Sequence, residues 1–156
     1  YSNVRHTVKD FVLILKHFFV PDIIEKRNPL APSARRAGWV GCNILIDKVP
    51  EQGRIFIVSD GKILDTNSVL SKVSRSSNLE IVDTNKRGWL MDILNCINRI
   101  PTSVFTLNEV YAFEGELQIK YPQNNNIRPK IRQQLQFLRD KGFLEFLGNG
   151  KYKKIM

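Results

Sequence analysis

Between residues 127 and 138 apolar side chains recur at steps of four, four and three (Ile127, Ile131, Leu135, Leu138), the spacing that lines one face of a helix. With about 100° between successive residues, the positions farthest from this stripe are Pro129, Arg132, Gln133, Gln136 and Asp140. The segment is bracketed by Asn124-Asn125-Asn126 and Gly142. If Asn126 is the cap, Pro129 falls in the first turn, where a missing N–H is tolerated. Immediately downstream, Phe143 to Leu147 and Lys151 to Ile155 flank Gly148-Asn149-Gly150, and Asn-Gly accepts the positive φ of a type I′ turn. Upstream, Trp89, Leu90, Ile93, Leu94 and Ile97 predict a first helix. Phe105-Thr106-Leu107-Asn108-Glu109 then supplies a Thr N-cap with Glu at the third helical position. Three helices followed by a hairpin predict a winged helix with the hairpin as its wing.

The first half is patterned differently. Phe11 to Leu15 reads as a buried strand, Cys42 to Ile46 as a second and Arg54 to Val58 as a third. Asn28-Pro29-Leu30-Ala31-Pro32 cannot continue a helix, and Arg35 and Arg36 follow that loop. Ser68 to Asn85 is Ser-rich and mixed in charge, which predicts a connector. The expected organisation is α+β: a strand-rich part over residues 1–80, a linker at 81–86 and the winged helix at 87–156.

Charge sharpens the picture. The chain of 156 residues carries a net charge of +9. From Gln123 to Met156 there are eight basic residues against Asp140 and Glu145, so most of the excess sits on the last helix and hairpin. Residues 87–122 hold three basic and four acidic side chains. A focused basic patch of this kind is the footprint of nucleic-acid binding. Arg and Gln have the fork geometry to bond guanine and adenine edges in a major groove about 12 Å wide that admits a helix. Expected base contacts are therefore Arg132, Gln133 and Gln136. Asn124, Asn125, Asn126, Arg128, Lys151, Tyr152, Lys153 and Lys154 are expected to touch DNA around them, the wing lysines on phosphate.

Other chemistry finds little support. Cys42 and Cys96 are isolated, with no Cys or His at metal spacing, and are expected to be buried free thiols. His6 and His17 are too far apart for a local ligand pair, and no metal or cofactor is assigned to this chain. No apolar run approaches the ~20 residues of a membrane span, and no secretory signal is evident, so a cytoplasmic protein is expected. The chain opens at Tyr1 without a methionine, which suggests the downstream part of something longer. Pro21-Asp22 with Asp60-Gly61-Lys62 formally matches the Pro-Asp…Asp/Glu-x-Lys signature of metal-dependent nucleases. Asp60-Gly61 is better read as a hairpin turn, which leaves that motif unassembled.

Longer stretches carry a resemblance. Pro29-Leu30-Ala31-Pro32-Ser33-Ala34-Arg35-Arg36-Ala37-Gly38-Trp39-Val40-Gly41-Cys42-Asn43, Arg87-Gly88-Trp89, Lys130-Ile131-Arg132-Gln133-Gln134-Leu135-Gln136 and Leu138-Arg139-Asp140-Lys141 resemble the DpnI-type restriction endonucleases. The resemblance covers nearly the whole chain. It implies a methyl-directed type II enzyme that recognises N6-methyladenine in G-A-T-C, with a PD-(D/E)xK nuclease domain and a C-terminal winged helix. It also implies that residues 1–80 are the C-terminal part of that nuclease domain. The catalytic acids and Lys, the Mg²⁺ and the structural Zn²⁺ of such an enzyme belong to a region upstream of this chain, so the chain alone is expected to be inactive. Its expected partners are double-stranded DNA with adenine-methylated G-A-T-C and the missing N-terminal part of the nuclease domain, with no membrane. By the same resemblance, Trp39, with Arg35 and Arg36 before it, lies beside the methyladenine. Leu147 and Asn149 stand where the family can carry basic residues, so weaker phosphate contacts are expected from this wing.

Two rival readings follow from the residues. A stand-alone winged-helix methyl-DNA reader or transcriptional regulator would need the first half to close as a domain of its own. A winged helix used for protein contacts would need an apolar outer face on the Ile127 helix, and Arg132, Gln133 and Gln136 argue against that.

Overall fold

The computed structural model describes residues 7–81 and 83–155. His6 and the Val82 position of the expected linker lie outside the described residues, as do Tyr1 and Met156. The fold is mixed α+β, with three small antiparallel sheets among the described residues. The chain divides into two compact units, Tyr1–Gly88 and Trp89–Met156.

In the first unit β1 (Phe11–Leu13), β4 (Ile55–Ser59) and β5 (Lys62–Ile63) form one sheet in the order β1-β4-β5. β2 (Ile24–Lys26) and β3 (Cys42–Ile44) pair separately. The strand expected over Phe11 to Leu15 is shorter than its apolar run and is not buried: Phe11 and Leu13 are exposed, because β1 is an edge with no layer over its outer face among the described residues. The strand expected over Cys42 to Ile46 stops at Ile44, and Ile46–Lys48 form a 3-10 turn. Every residue of β2 and β3 is exposed, so Cys42 is an exposed thiol and not the buried one expected. The Asp60-Gly61 turn forms as expected, with φ of +47° and +75°, and the Asp60 N–H donates to the Asp10 carboxylate at 3.0 Å.

The Ser-rich stretch is the largest departure. It folds into α1 (Thr66–Ser77), capped by Asp65, whose carboxylate accepts from the Ser68 N–H at 2.8 Å. The expected linker is likewise partly helical, since α2 (Thr84–Arg99) takes in residues 84–86. What hid α1 is a serine in an inward position. Val69, Val73, Ser76 and Leu79 follow helical spacing, and Ser76 is buried in the third of those places. Its hydroxyl donates to the Gln52 carbonyl at 2.5 Å and its own carbonyl accepts from His17 Nε2 at 2.9 Å, so the polar group is satisfied. Burial lowers the His17 pKa, which favours the neutral ring.

The same corner holds the unit's core. Phe18 is fully buried, and Val20, Ile23, Val49, Ile55 and Leu79 are further buried apolar side chains of this unit. The Phe18 ring occupies the place a side chain at residue 53 would need.

In the second unit the three expected helices are present, the middle one broken. α2 supplies the buried Leu90, Ile93, Leu94 and Ile97. α3 (Leu107–Tyr111) and α4 (Glu114–Lys120) replace a single second helix. α3 starts at a complete capping box: Thr106 Oγ1 accepts from the Glu109 N–H at 3.3 Å, and Glu109 Oε2 accepts from the Thr106 N–H at 2.7 Å. The Thr106 N–H, and after it the Thr106 hydroxyl, which also donates to Glu109 Oε2 at 2.8 Å, hold the Glu109 carboxyl below its usual range. α5 (Ile127–Asp140) buries Ile127, Ile131, Leu135 and Leu138, the stripe read from the sequence, and also Gln134. β7 (Leu144–Gly148) and β8 (Lys151–Lys154) form the hairpin, with Asn149 at φ +49° and Gly150 at φ +69°. A third strand, β6 (Val104–Thr106), pairs with the far side of β8, giving the order β6-β8-β7. Cys96 is buried, and desolvation followed by the charges of Glu116 and Asp92 pushes its thiol up to about 12, so it is inert at neutral pH.

A Cβ at Gly53 would lie 2.5 to 2.9 Å from three Phe18 ring atoms. Gly53→Ala is therefore expected to cost roughly 1–3 kcal/mol, the usual penalty for overfilling a packed core, measured as a lower urea midpoint. Unchanged stability would mean that Phe18 can move freely, against its full burial.

Candidate nucleic-acid interface

Packing decides what α5 presents. With Ile127, Ile131, Leu135 and Leu138 inward, Arg128, Pro129, Arg132, Gln133, Gln136, Arg139 and Asp140 are all exposed. Asn126 is the residue before the helix but makes no side-chain cap bond, and its N–H is taken by Asn124 Oδ1 at 2.8 Å. Pro129, third in the helix, has no N–H to leave unpaired.

The outer side chains are held by neighbours. Lys130 Nζ donates to Gln133 Oε1 at 2.8 Å, and its ammonium lies 6.0 Å from the Trp89 ring centroid. Arg128 Nε donates to Glu114 Oε2 at 2.8 Å and its guanidinium sits 5.0 Å over the Tyr111 ring. Arg132 Nη1 donates to the Tyr111 hydroxyl at 2.6 Å. Arg139 pairs with Asp140 at 2.8 Å. These are exposed contacts worth about 0–1 kcal/mol each, so exchanging them for DNA phosphate or a base edge costs little. Tyr111 and Lys130 were not among the candidates read from the sequence. Lys130 at i−3 of Gln133 was a legible signal, whereas Tyr111 meets α5 only through the tertiary fold.

The hairpin separates the three lysines that sequence treats alike. Lys151 and Lys153 project from one side of β8 and are exposed, with Lys153 Nζ 3.7 Å from Glu145. Lys154 points to the other side, and its ammonium donates to the Ile100 carbonyl just past the end of α2. Tyr152, also on that side, stacks with Phe105 at 5.8 Å and contacts Phe146 at 5.2 Å. Burial raises its phenol pKa, while the charges of Arg139 and Arg132 oppose the rise.

In the first unit Arg35, Arg36 and Trp39 lie on the long loop between β2 and β3. The ladder of that pair is prolonged by Arg27 N–H to Gly41 carbonyl (3.0 Å) and Leu30 N–H to Trp39 carbonyl (2.9 Å), so the loop is tied at its base. Arg35 and Arg36 are exposed at its tip and Trp39 is 54% exposed. The indole rests over residue 41, where a Cβ would lie 2.9 Å from Trp39 Cη2 and Cζ3 and 3.8 Å from Arg27 Cδ. Gly41 thus sets how far the ring folds down, and Arg27 joins the cluster that sequence reading drew around Arg35, Arg36 and Trp39.

Two family models match the chain in order, the Dam-replacing family over residues 1–82 and the Dam-replacing HTH domain over residues 85–154. The chain belongs to the Dam-replacing family. Membership supports methyladenine- and G-A-T-C-specific DNA binding as part of a restriction-modification protein, and an enzymatic role for the parent protein. Among the described residues no group of three or more His, Cys, Asp and Glu is placed to hold a metal ion. Among them, too, no helix is long and apolar enough to cross a membrane.

Gly41→Ala is expected to lift the Trp39 indole off the loop. Trp89 is buried and serves as an internal reference, so acrylamide quenching of the exposed tryptophan should rise while thermal stability stays near that of the parent chain. Identical quenching would show that the indole does not depend on the open space at residue 41.

Proposed function

We propose that the second unit is a winged helix in which α5 reads the major groove of N6-methylated G-A-T-C and the β7–β8 hairpin is its wing. The first unit is then the C-terminal part of a PD-(D/E)xK nuclease domain, with domain limits at 1–80, 81–86 and 87–156. The observation that carries this reading is the outward set Arg132, Gln133 and Gln136 on a helix whose opposite face is fully packed.

The chemistry of methyladenine selects the bonds. Adenine offers N7 as acceptor and the N6 amino group as donor in the major groove. In a duplex the one N–H left on a methylated N6 faces thymine, so the bond that persists on the groove side is one donated to N7. Lys130 donates to Gln133 Oε1, which turns the oxygen toward the lysine and leaves the amide NH₂ of Gln133 as a group to offer. On the first unit, and by itself, the indole of Trp39 offers apolar surface suited to an N6-methyl group. Asn124, Asn125, Asn126 and Arg128 line the start of α5, where the first N–H groups and the guanidinium suit backbone phosphate. Arg35 and Arg36 play the same part on the loop of the first unit.

Among the wing residues Lys151 and Lys153 take phosphate, and Tyr152 braces the hairpin through its ring contacts with Phe105 and Phe146. Lys154 contributes mainly through its bond at the α2 terminus. Hydrolysis, with the Mg²⁺ and structural Zn²⁺ of the parent enzyme, is assigned to the rest of that protein, and its action to the cytoplasm.

Two outcomes test the assignment. Gln133→Ala or Gln136→Ala should cost about 1–3 kcal/mol on methylated G-A-T-C and much less on unrelated duplex; equal losses on both would remove α5 as the reader. Lys151→Ala and Lys153→Ala should weaken all duplexes alike and make the slope of log affinity against log salt shallower by about 0.9 for each lost phosphate contact. A loss of methyl preference with the slope unchanged would instead make the wing a base reader.

A further inference from the structure

One side chain touches two of the three arginines exposed on α5, Arg128 and Arg132, and it belongs to another helix. Tyr111 ends α3, next to the fully buried Val110, in a short helix whose start is locked by the Thr106–Glu109 capping box. Its hydroxyl accepts from Arg132 Nη1 at 2.6 Å, and its ring lies 5.0 Å beneath the Arg128 guanidinium. Arg128 has a second anchor, the 2.8 Å bond to Glu114. For Arg132 the phenol is the anchor that the structure supplies.

We propose that Tyr111 is a positioning residue for base recognition: its hydroxyl fixes Arg132 for guanine, while its ring holds Arg128 for backbone phosphate. This rests on α5 being the base-contacting helix. A guanidinium has five N–H donors in a fixed plane. The bond to Tyr111 uses one on Nη1, the nitrogen remote from the Nε–H edge. The parallel pair Nε–H and Nη2–H is left intact, the fork that meets guanine O6 and N7 together. An arginine on a solvent-exposed helix otherwise samples many rotamers, and immobilising it on binding weakens the complex. A phenol bond made before DNA arrives removes part of that loss. The two functions of Tyr111 use different atoms and can therefore be separated chemically.

The test uses the full chain and duplexes with methylated G-A-T-C in which the guanine is either natural or 7-deazaguanine, which lacks the N7 acceptor. Tyr111→Phe keeps the ring and removes the hydroxyl. It should weaken binding to the natural duplex by roughly threefold to tenfold, the effect of one hydrogen bond, shrink the penalty for 7-deazaguanine and leave the salt slope unchanged. Tyr111→Leu, which also removes the ring under Arg128, should weaken binding to every duplex. In an Arg132→Ala background Tyr111→Phe should have no further effect, so the pair is non-additive. Additive losses, or a Tyr111→Phe chain that keeps the full penalty for 7-deazaguanine, would overturn the proposal. If Arg132→Ala itself leaves that penalty intact, the reading of α5 at guanine fails, which is a different result. Should Tyr111→Phe lower the melting temperature, the non-additivity measured well below both melting temperatures still decides the question.

Discussion

Burial of Ile127, Ile131, Leu135 and Leu138 fixes the rotation of α5 about its own axis, and everything the second unit presents outward depends on that constraint. Each fully buried Ile or Leu contributes about 1.5–3 kcal/mol relative to exposure. Turning the helix by one residue, about 100°, would bring Arg128 and Arg132 toward the core and force their charges out of water. The energy gap between these orientations far exceeds what any surface ion pair around α5 can supply. The outer face is consequently set by hydrophobic burial, and the polar contacts to Tyr111, Glu114 and Lys130 only tune it.

Those contacts change how the basic charge should be understood. Counting residues places most of the net charge on α5 and the hairpin, yet the structure gives Arg128, Arg139 and Lys153 carboxylate partners and ties Lys154 to a helix terminus. A net count measures the long-range field that draws DNA in. It does not say which cations are poised for contact. Lys151, at the start of β8 beside the turn, Arg132, on the Tyr111 hydroxyl, and Lys130, on the Gln133 amide, are among the cations that do not have to leave a carboxylate to reach DNA.

The second unit was largely legible in the sequence because its signals are local: a helical stripe, a Thr–Glu cap and an Asn-Gly turn each act within a few residues. What escaped there was non-local or short. β6 is three residues paired with a strand some fifty positions later, and the break between α3 and α4 at Ala112 and Phe113 carries no Pro or Gly to announce it. The first unit was harder. α1 reads as a connector in the sequence because its inward stripe passes through Ser76, whose burial is compensated by partners distant in sequence, Gln52 and His17. Cys42 and Phe11 looked interior because their runs are apolar, but a two-stranded ladder and an edge strand give them nothing to pack against among the described residues. Of the interface residues, exposure of Arg132, Gln133 and Gln136 followed from periodicity. The separation of Lys154 from Lys151 and Lys153 needed the strand pairing that places alternate residues on opposite sides.

The division of α5 into a packed and an open face also bears on how such a helix diversifies. Positions 128, 132, 133, 136 and 139 can each be exchanged without touching a core contact, so new base preferences are reachable by single steps that leave folding untouched. The inward positions have no such freedom, and Gln134, buried to 5% exposure among them, is the one place on that side where a polar side chain is already tolerated. Drift in specificity and drift in stability therefore run on separate sets of codons in one fourteen-residue element.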